Sequence, residues 1–102
     1  DDVVEALLMV AATEAADGQI YNLGSDDPIN LINLARLLIE INGGGQYELR
    51  PFPTDRKRID IGDYYGDYRR IRSKLGWRPL VGLRDGMTRS LDYFRQHLEH
   101  YI

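Results

Sequence analysis

The feature that most restricts the fold of this chain is an apolar seam near its C-terminal end. Leu83, Met87, Leu91, Phe94 and Leu98 are spaced by four, four, three and four residues, the period of an amphipathic helix sustained for four turns. A helix of that kind draws most of its stability from what its stripe packs on, so the rest of the chain must supply a partner. Upstream, Val3, Ala6, Leu7 and Val10 fall on one face of a helix over about residues 3–16, with Asp1 or Asp2 as cap and Ala16-Asp17-Gly18 as stop. Asn30 is placed to cap a second helix with the stripe Leu31, Leu34, Ala35, Leu38 and Ile41, which Gly43-Gly44-Gly45 ends. Asp67 caps a shorter one in which Tyr68, Ile71 and Leu75 share a side while Arg69, Arg70, Arg72 and Lys74 face outward, and Gly76 supplies a left-handed stop.

Between the helices, two segments read as short strands: residues 19–23 (QIYNL), with Ile20 and Leu23 or Tyr21 buried, and residues 46–52, bounded by Pro51 and Pro53. The turn Gly24-Ser25-Asp26-Asp27-Pro28 follows the first, and residues 53–66 read as an exposed, ordered loop. The expected fold class is therefore α+β, a small lobe of about four helices and two or more short strands.

With 102 residues, 43% hydrophobic and 28% charged, the chain is one soluble domain with a modest core. The absence of cysteine excludes a disulfide scaffold, thiol chemistry and Cys-ligated zinc, and no apolar run has the length of a membrane span. A cytoplasmic location is the expectation. The chain opens Asp1-Asp2-Val3 without an initiator methionine, which suggests a piece of a longer protein. Its net charge is -3, yet nine of its thirteen Lys and Arg lie between Arg50 and Arg78, opposed there by Asp55, Asp60, Asp63 and Asp67. That uneven balance suits a small anionic ligand better than nucleic acid, which wants a broad positive surface, although a solvated helix face explains the charge equally well.

Complete catalytic signatures are missing. Gly43-Gly44-Gly45 follows a helix, whereas a dinucleotide loop sits between a strand and a helix N-terminus, and no tyrosine is followed four residues later by lysine. His97, Glu99 and His100 supply at most two metal ligands on one helix face, so no metal is expected. Asp60, Asp63 and Asp67 could form a carboxylate set for acid-base work, but turn and cap roles account for them better. Tyr64, Tyr65 and Tyr68 could stack a nucleobase, but amphipathic packing explains them better. The run Asp55-Arg56-Lys57-Arg58-Ile59-Asp60 is the feature with most chemical content, because guanidinium forks bind phosphate oxygens bidentately. Exposed pairing of these arginines with Asp55, Asp60 and Asp63 is the alternative.

The order of segments then becomes recognisable. Asp1-Asp2-Val3-Val4-Glu5-Ala6, Ile20-Tyr21-Asn22-Leu23-Gly24-Ser25, a Leu-rich helix, a charged loop, Ile71 with Leu75-Gly76-Trp77-Arg78-Pro79, and Val81-Gly82-Leu83-Arg84-Asp85-Gly86 together resemble the C-terminal part of the NAD-dependent epimerase/dehydratase family. These are the extended short-chain dehydrogenase/reductases of nucleotide-sugar metabolism, and the resemblance covers nearly the whole chain. Gly82 stands where relatives more often place Ser or Thr, and the Asp26-Asp27 turn lacks the second glycine of Gly-Ser-Gly versions.

The resemblance implies a substrate-binding lobe of a UDP-glucose 4-epimerase-like enzyme, inactive alone and partnered by an N-terminal Rossmann domain that holds NAD. The parent would be an isomerase or lyase that epimerises, dehydrates or decarboxylates a nucleotide-diphosphate sugar. It implies substrate-binding roles for Arg56 and Arg58 at the diphosphate and for Asp60 at the nucleoside, and no catalytic, cofactor-binding or metal-binding residue in this chain. Members with an Arg-x-Gly-Asp pattern place Arg three residues before Asp; Lys57 stands there in this sequence, so the phosphate contact stays open among Arg56, Lys57 and Arg58. The other readings are a nucleotide-sugar-binding module without turnover and a structural fragment that self-associates as a homo-oligomer. No nucleic-acid or membrane partner is expected.

Overall fold

Asp1 begins the described structure by preceding a helix, α1 (Asp2–Ala12), whose inward face is narrow. A computed structural model describes residues 1–60 and 65–102. The order after α1 is a 3-10 turn (Glu14–Ala16), α2 (Leu31–Asn42), α3 (Thr54–Lys57), α4 (Arg69–Leu75), α5 (Leu83–Gln96) and a second 3-10 turn (Leu98–His100). Among the described residues the buried ones are Ala6, Ala16, Ile71 and Trp77. Ala6 of α1, Ile71 of α4 and Trp77 form the core, with Met9, Val10, Tyr21, Leu23, Tyr68 and Leu75 packed around them. Ile71 is fully enclosed. Burying an Ile side chain contributes about 1.5–3 kcal/mol, and truncating a buried Trp to Ala costs about 3–5 kcal/mol, so Ile71 and Trp77 dominate this small core.

The helix boundaries follow from their end residues. Asn30 Oδ1 accepts the Asn33 N–H at 2.8 Å and caps α2, a contact that contributes about 1 kcal/mol. At the other end Gly43 is left-handed with φ 79°, and the Ile39 carbonyl accepts from both Gly43 N (3.0 Å) and Gly44 N (3.1 Å). Gly76, with φ 77°, ends α4 in the same backbone region. Helix α1 stops at Ala12, earlier than its apolar pattern suggests. Thr13 turns its hydroxyl back to the Met9 carbonyl at 2.7 Å, and the 3-10 turn follows.

The expected α+β class is corrected here. Among the described residues all regular structure is helical and no strand is present. A strand exists only as a member of a ladder, and neither residues 19–23 nor residues 46–52 find one. The first segment is held by side chains instead. Arg70 donates from Nη1 to the Ile20 carbonyl (3.0 Å) and from Nη2 to Gln19 Oε1 (2.6 Å), with its guanidinium 5.4 Å from the Tyr21 ring centre. Tyr21 and Leu23 pack on the core while Ile20 is exposed, so Ile20 is not a buried contributor. Arg70 likewise has work on its own molecule and does not merely face solvent. In residues 46–52 every side chain is exposed.

Helix α1 also rotates away from its expected face. Val3 and Leu7 are 58% and 64% exposed, and the inward positions are Ala6, Met9 and Val10. The cause is Asp2. Its carboxylate accepts the N–H groups of Leu80 (3.1 Å) and Val81 (3.0 Å), and its carbonyl accepts the Trp77 indole N–H at 3.0 Å. Asp1 pairs with Arg89. These bonds turn the N-terminal end of α1 toward the chain that leads into α5.

Helix α5 packs on α2, with Leu83, Met87 and Leu91 half-buried; the last two residues of the expected seam, Phe94 and Leu98, are exposed, and Leu98 lies past the helix in the second 3-10 turn. Arg84 pairs with Glu40 at 3.0 Å and Arg95 donates to Asn42 Oδ1 at 2.8 Å, so both ends of α5 reach the last turn of α2. The radius of gyration is 17.3 Å, against about 13 Å for a compact domain of this length. The chain is therefore more extended than a compact domain of its length.

Two glycines hold a close backbone crossing. A Cβ on Gly24 would lie 2.2 Å from the Gly66 carbonyl oxygen, and one on Gly66 would lie 2.6 Å from the Leu23 carbonyl oxygen. Gly66→Ala therefore forces backbone apart and is expected to lower unfolding free energy by about 1–3 kcal/mol in urea titration, the usual range for overpacking. Gly44→Ala, with nothing within 4 Å of its Cβ position, is the matched control and leaves stability within about 1 kcal/mol of the parent.

The two N–H bonds from Val81 and Leu80 hold the Asp2 carboxyl below its usual range. A lowered folded-state pKa contributes stability above the unfolded value, and that stability disappears as pH falls through the folded value. Asp2→Asn is expected to be less stable than the parent at neutral pH, with the two converging in acid, as followed by circular dichroism melts from pH 7 to pH 2.

Candidate substrate-binding site

Pro53 starts the basic segment with φ -57°, an angle that preorganises a helical turn. Thr54–Lys57 then form α3, and the turn continues past it: the Arg56 carbonyl accepts from Ile59 N and Asp60 N, both at 3.1 Å. The expected loop is therefore partly helical. On such a turn, residues four apart share a side and residues two apart do not. Arg58, two residues on from Arg56 with a helical backbone, leaves the turn in a different direction, and Asp60 lies past its end.

Arg56, Arg58 and Asp60 are all exposed. Neither Arg56 nor Arg58 forms a salt bridge with a described residue, which distinguishes them from Arg50, Arg69, Arg84, Arg89 and Arg95, each held by a carboxylate. Asp63 and Tyr64, raised as a carboxylate and a base-stacking candidate, lie outside the described residues. Tyr65 is exposed. Asp67, expected to cap α4, stands two positions before it; Tyr68 holds the cap position, and Asp67 accepts the Arg69 backbone N–H at 3.0 Å and the Arg69 guanidinium at 2.6 Å. That guanidinium, then the backbone bond, holds the Asp67 carboxyl below its usual range. His97 stacks on Tyr93 at 4.3 Å and its Nδ1 lies 2.9 Å from the Tyr93 carbonyl, so it is engaged in the end of α5.

Three residues carry roles that their sequence context did not reveal. Asp27 Oδ2 accepts the Leu83 N–H at 3.3 Å, supplying at the start of α5 the acceptor that Gly82 lacks. Its neighbour Asp26 accepts the Tyr68 hydroxyl at 2.5 Å, and Tyr68 meets Trp77 edge to face at 5.7 Å. The Asp26-Asp27 turn is thus a lock between the core and α5. The available signal was a glycine at a helix start with no hydroxyl nearby in sequence.

An open groove of about 530 Å³ runs between this turn and α5, lined by Asp26, Asp27, Pro28, Ile29, Leu83, Arg84 and Asp85. Its size suits a small ligand, but three carboxylates face one guanidinium that Glu40 already holds. That charge repels a diphosphate. The glycine run is not a dinucleotide loop either. The N–H groups of Gly43 and Gly44 are spent in stopping α2, and no strand precedes them.

What the geometry defines, among the described residues, is a helical piece with a basic turn whose Arg56 and Arg58 form no salt bridge. Its homologues are members of the NAD-dependent epimerase/dehydratase family, as the order of its motifs suggests. UDP-glucuronic acid decarboxylase 1 of Xenopus tropicalis is 33% identical over 103 residues, 97% of this chain and 22% of that protein. The dTDP-D-glucose 4,6-dehydratase of Mus musculus is 30% identical over 98% of this chain and 29% of its own length. The dTDP-glucose 4,6-dehydratase of Streptomyces griseus is 31% identical over 95% of this chain and 29% of its own length. The chain therefore spans between a fifth and a third of the relatives it matches. No family model matches the chain, and no solved structure does. Among the described residues no helix is long and apolar enough to cross a membrane.

The Asp26 lock has a spectroscopic consequence. The hydrogen bond to Asp26, then burial, pushes the Tyr68 phenol up from its usual value. Tyr68 is expected to ionise after most other tyrosines in an alkaline absorbance titration, with Tyr68→Phe giving the assignment. Asp26→Ala returns that ionisation toward the ordinary tyrosine range. Stability carried by this bond is complete below the unfolded tyrosine pKa and lost as pH rises through the folded one.

Proposed function

We propose that this chain is the C-terminal nucleotide-sugar-binding portion of an NAD-dependent dehydratase or decarboxylase. The observation that carries the reading is similarity to UDP-glucuronic acid decarboxylase 1 across 97% of the chain. The relatives named are a decarboxylase and dehydratases. They favour those reaction classes, both lyases, over a UDP-glucose 4-epimerase-like one. NAD belongs to a Rossmann domain outside these residues, and the work of this lobe is to bind and orient a nucleotide-diphosphate sugar. A cytoplasmic location goes with that reading.

Within the lobe, Arg56 and Arg58 hold the diphosphate and Asp60 accepts from the nucleoside. The turn after Pro53 delivers the two guanidiniums on different sides, so they grip oxygens of different phosphates instead of converging on one. Lys57 stands between them as a point charge that adds attraction without a fork.

Titrating the chain with UDP, dTDP and GDP sugars at low salt, while following amide shifts of residues 54–60, tests the reading. Shifts confined to that turn and abolished at high salt are expected. Arg56→Ala and Arg58→Ala should each weaken binding by about tenfold or more, the usual effect of deleting a hydrogen bond to a charged group. Unchanged affinity in the double variant overturns the assignment.

A further inference from the structure

We draw no further inference here: the strongest candidate, the groove of about 550 Å³ between the start of α1 and α5 lined by Asp2, Val3, Val81, Arg89, Ser90 and Tyr93, carries nothing, because its guanidinium is already paired with Asp1 and its Asp2 carboxylate with the Leu80 and Val81 N–H groups, and nothing in the structure shows what covers it.

Discussion

The rest of this structure depends on how the N-terminal end of α1 closes over Trp77. The indole is buried against Ala6 and Ile71, and its N–H is satisfied by the Asp2 carbonyl. An indole N–H left unpaired in that position would cost about as much as the ring's polar desolvation, roughly 1–3 kcal/mol. The same Asp2 then uses its carboxylate to hold Leu80 and Val81. One residue therefore serves the core with its backbone and the path into α5 with its side chain. The rotation of α1 that this requires turns Val3, Val4, Leu7 and Leu8 to solvent.

Carboxylates make most of the other long-range ties. Asp26 binds Tyr68, Asp27 binds the first N–H of α5, Glu40 binds Arg84 and Asp1 binds Arg89. The chain's acidic residues thereby tie together segments distant in sequence. The arginines divide accordingly. Arg70 and Arg95 anchor loops or helix ends, while Arg56 and Arg58 are left without a salt-bridge partner among the described residues. The proposed diphosphate contact rests on those two guanidiniums.

Local chemistry made several elements legible before any coordinates. Asn30 had the cap position, Gly43 and Gly76 had the left-handed stops, and the α5 seam had four turns of regular spacing. Each depends on residues within about one turn of one another, so sequence alone determines them. The order of motifs was also enough to identify the family of the homologues, because it is a property of the chain itself. The basic turn was legible as a charge run, but its helical twist, which separates Arg56 from Arg58, was not.

What only the tertiary structure decided are the pairings between distant segments. Residues 19–23 and 46–52 have strand composition, yet a strand needs a neighbour's N–H and C=O groups, and none is aligned with them among the described residues. The inward face of α1 had two apolar candidates, and a contact with Leu80 and Val81, nearly eighty residues away, chose between them. Asp27 capping Leu83 and Gly24 crossing Gly66 are of the same kind. Helix ends and periodicity are determined by the sequence because their hydrogen bonds close within a few residues. Strand pairing, helix facing and remote caps depend on which distant backbone groups arrive to be satisfied.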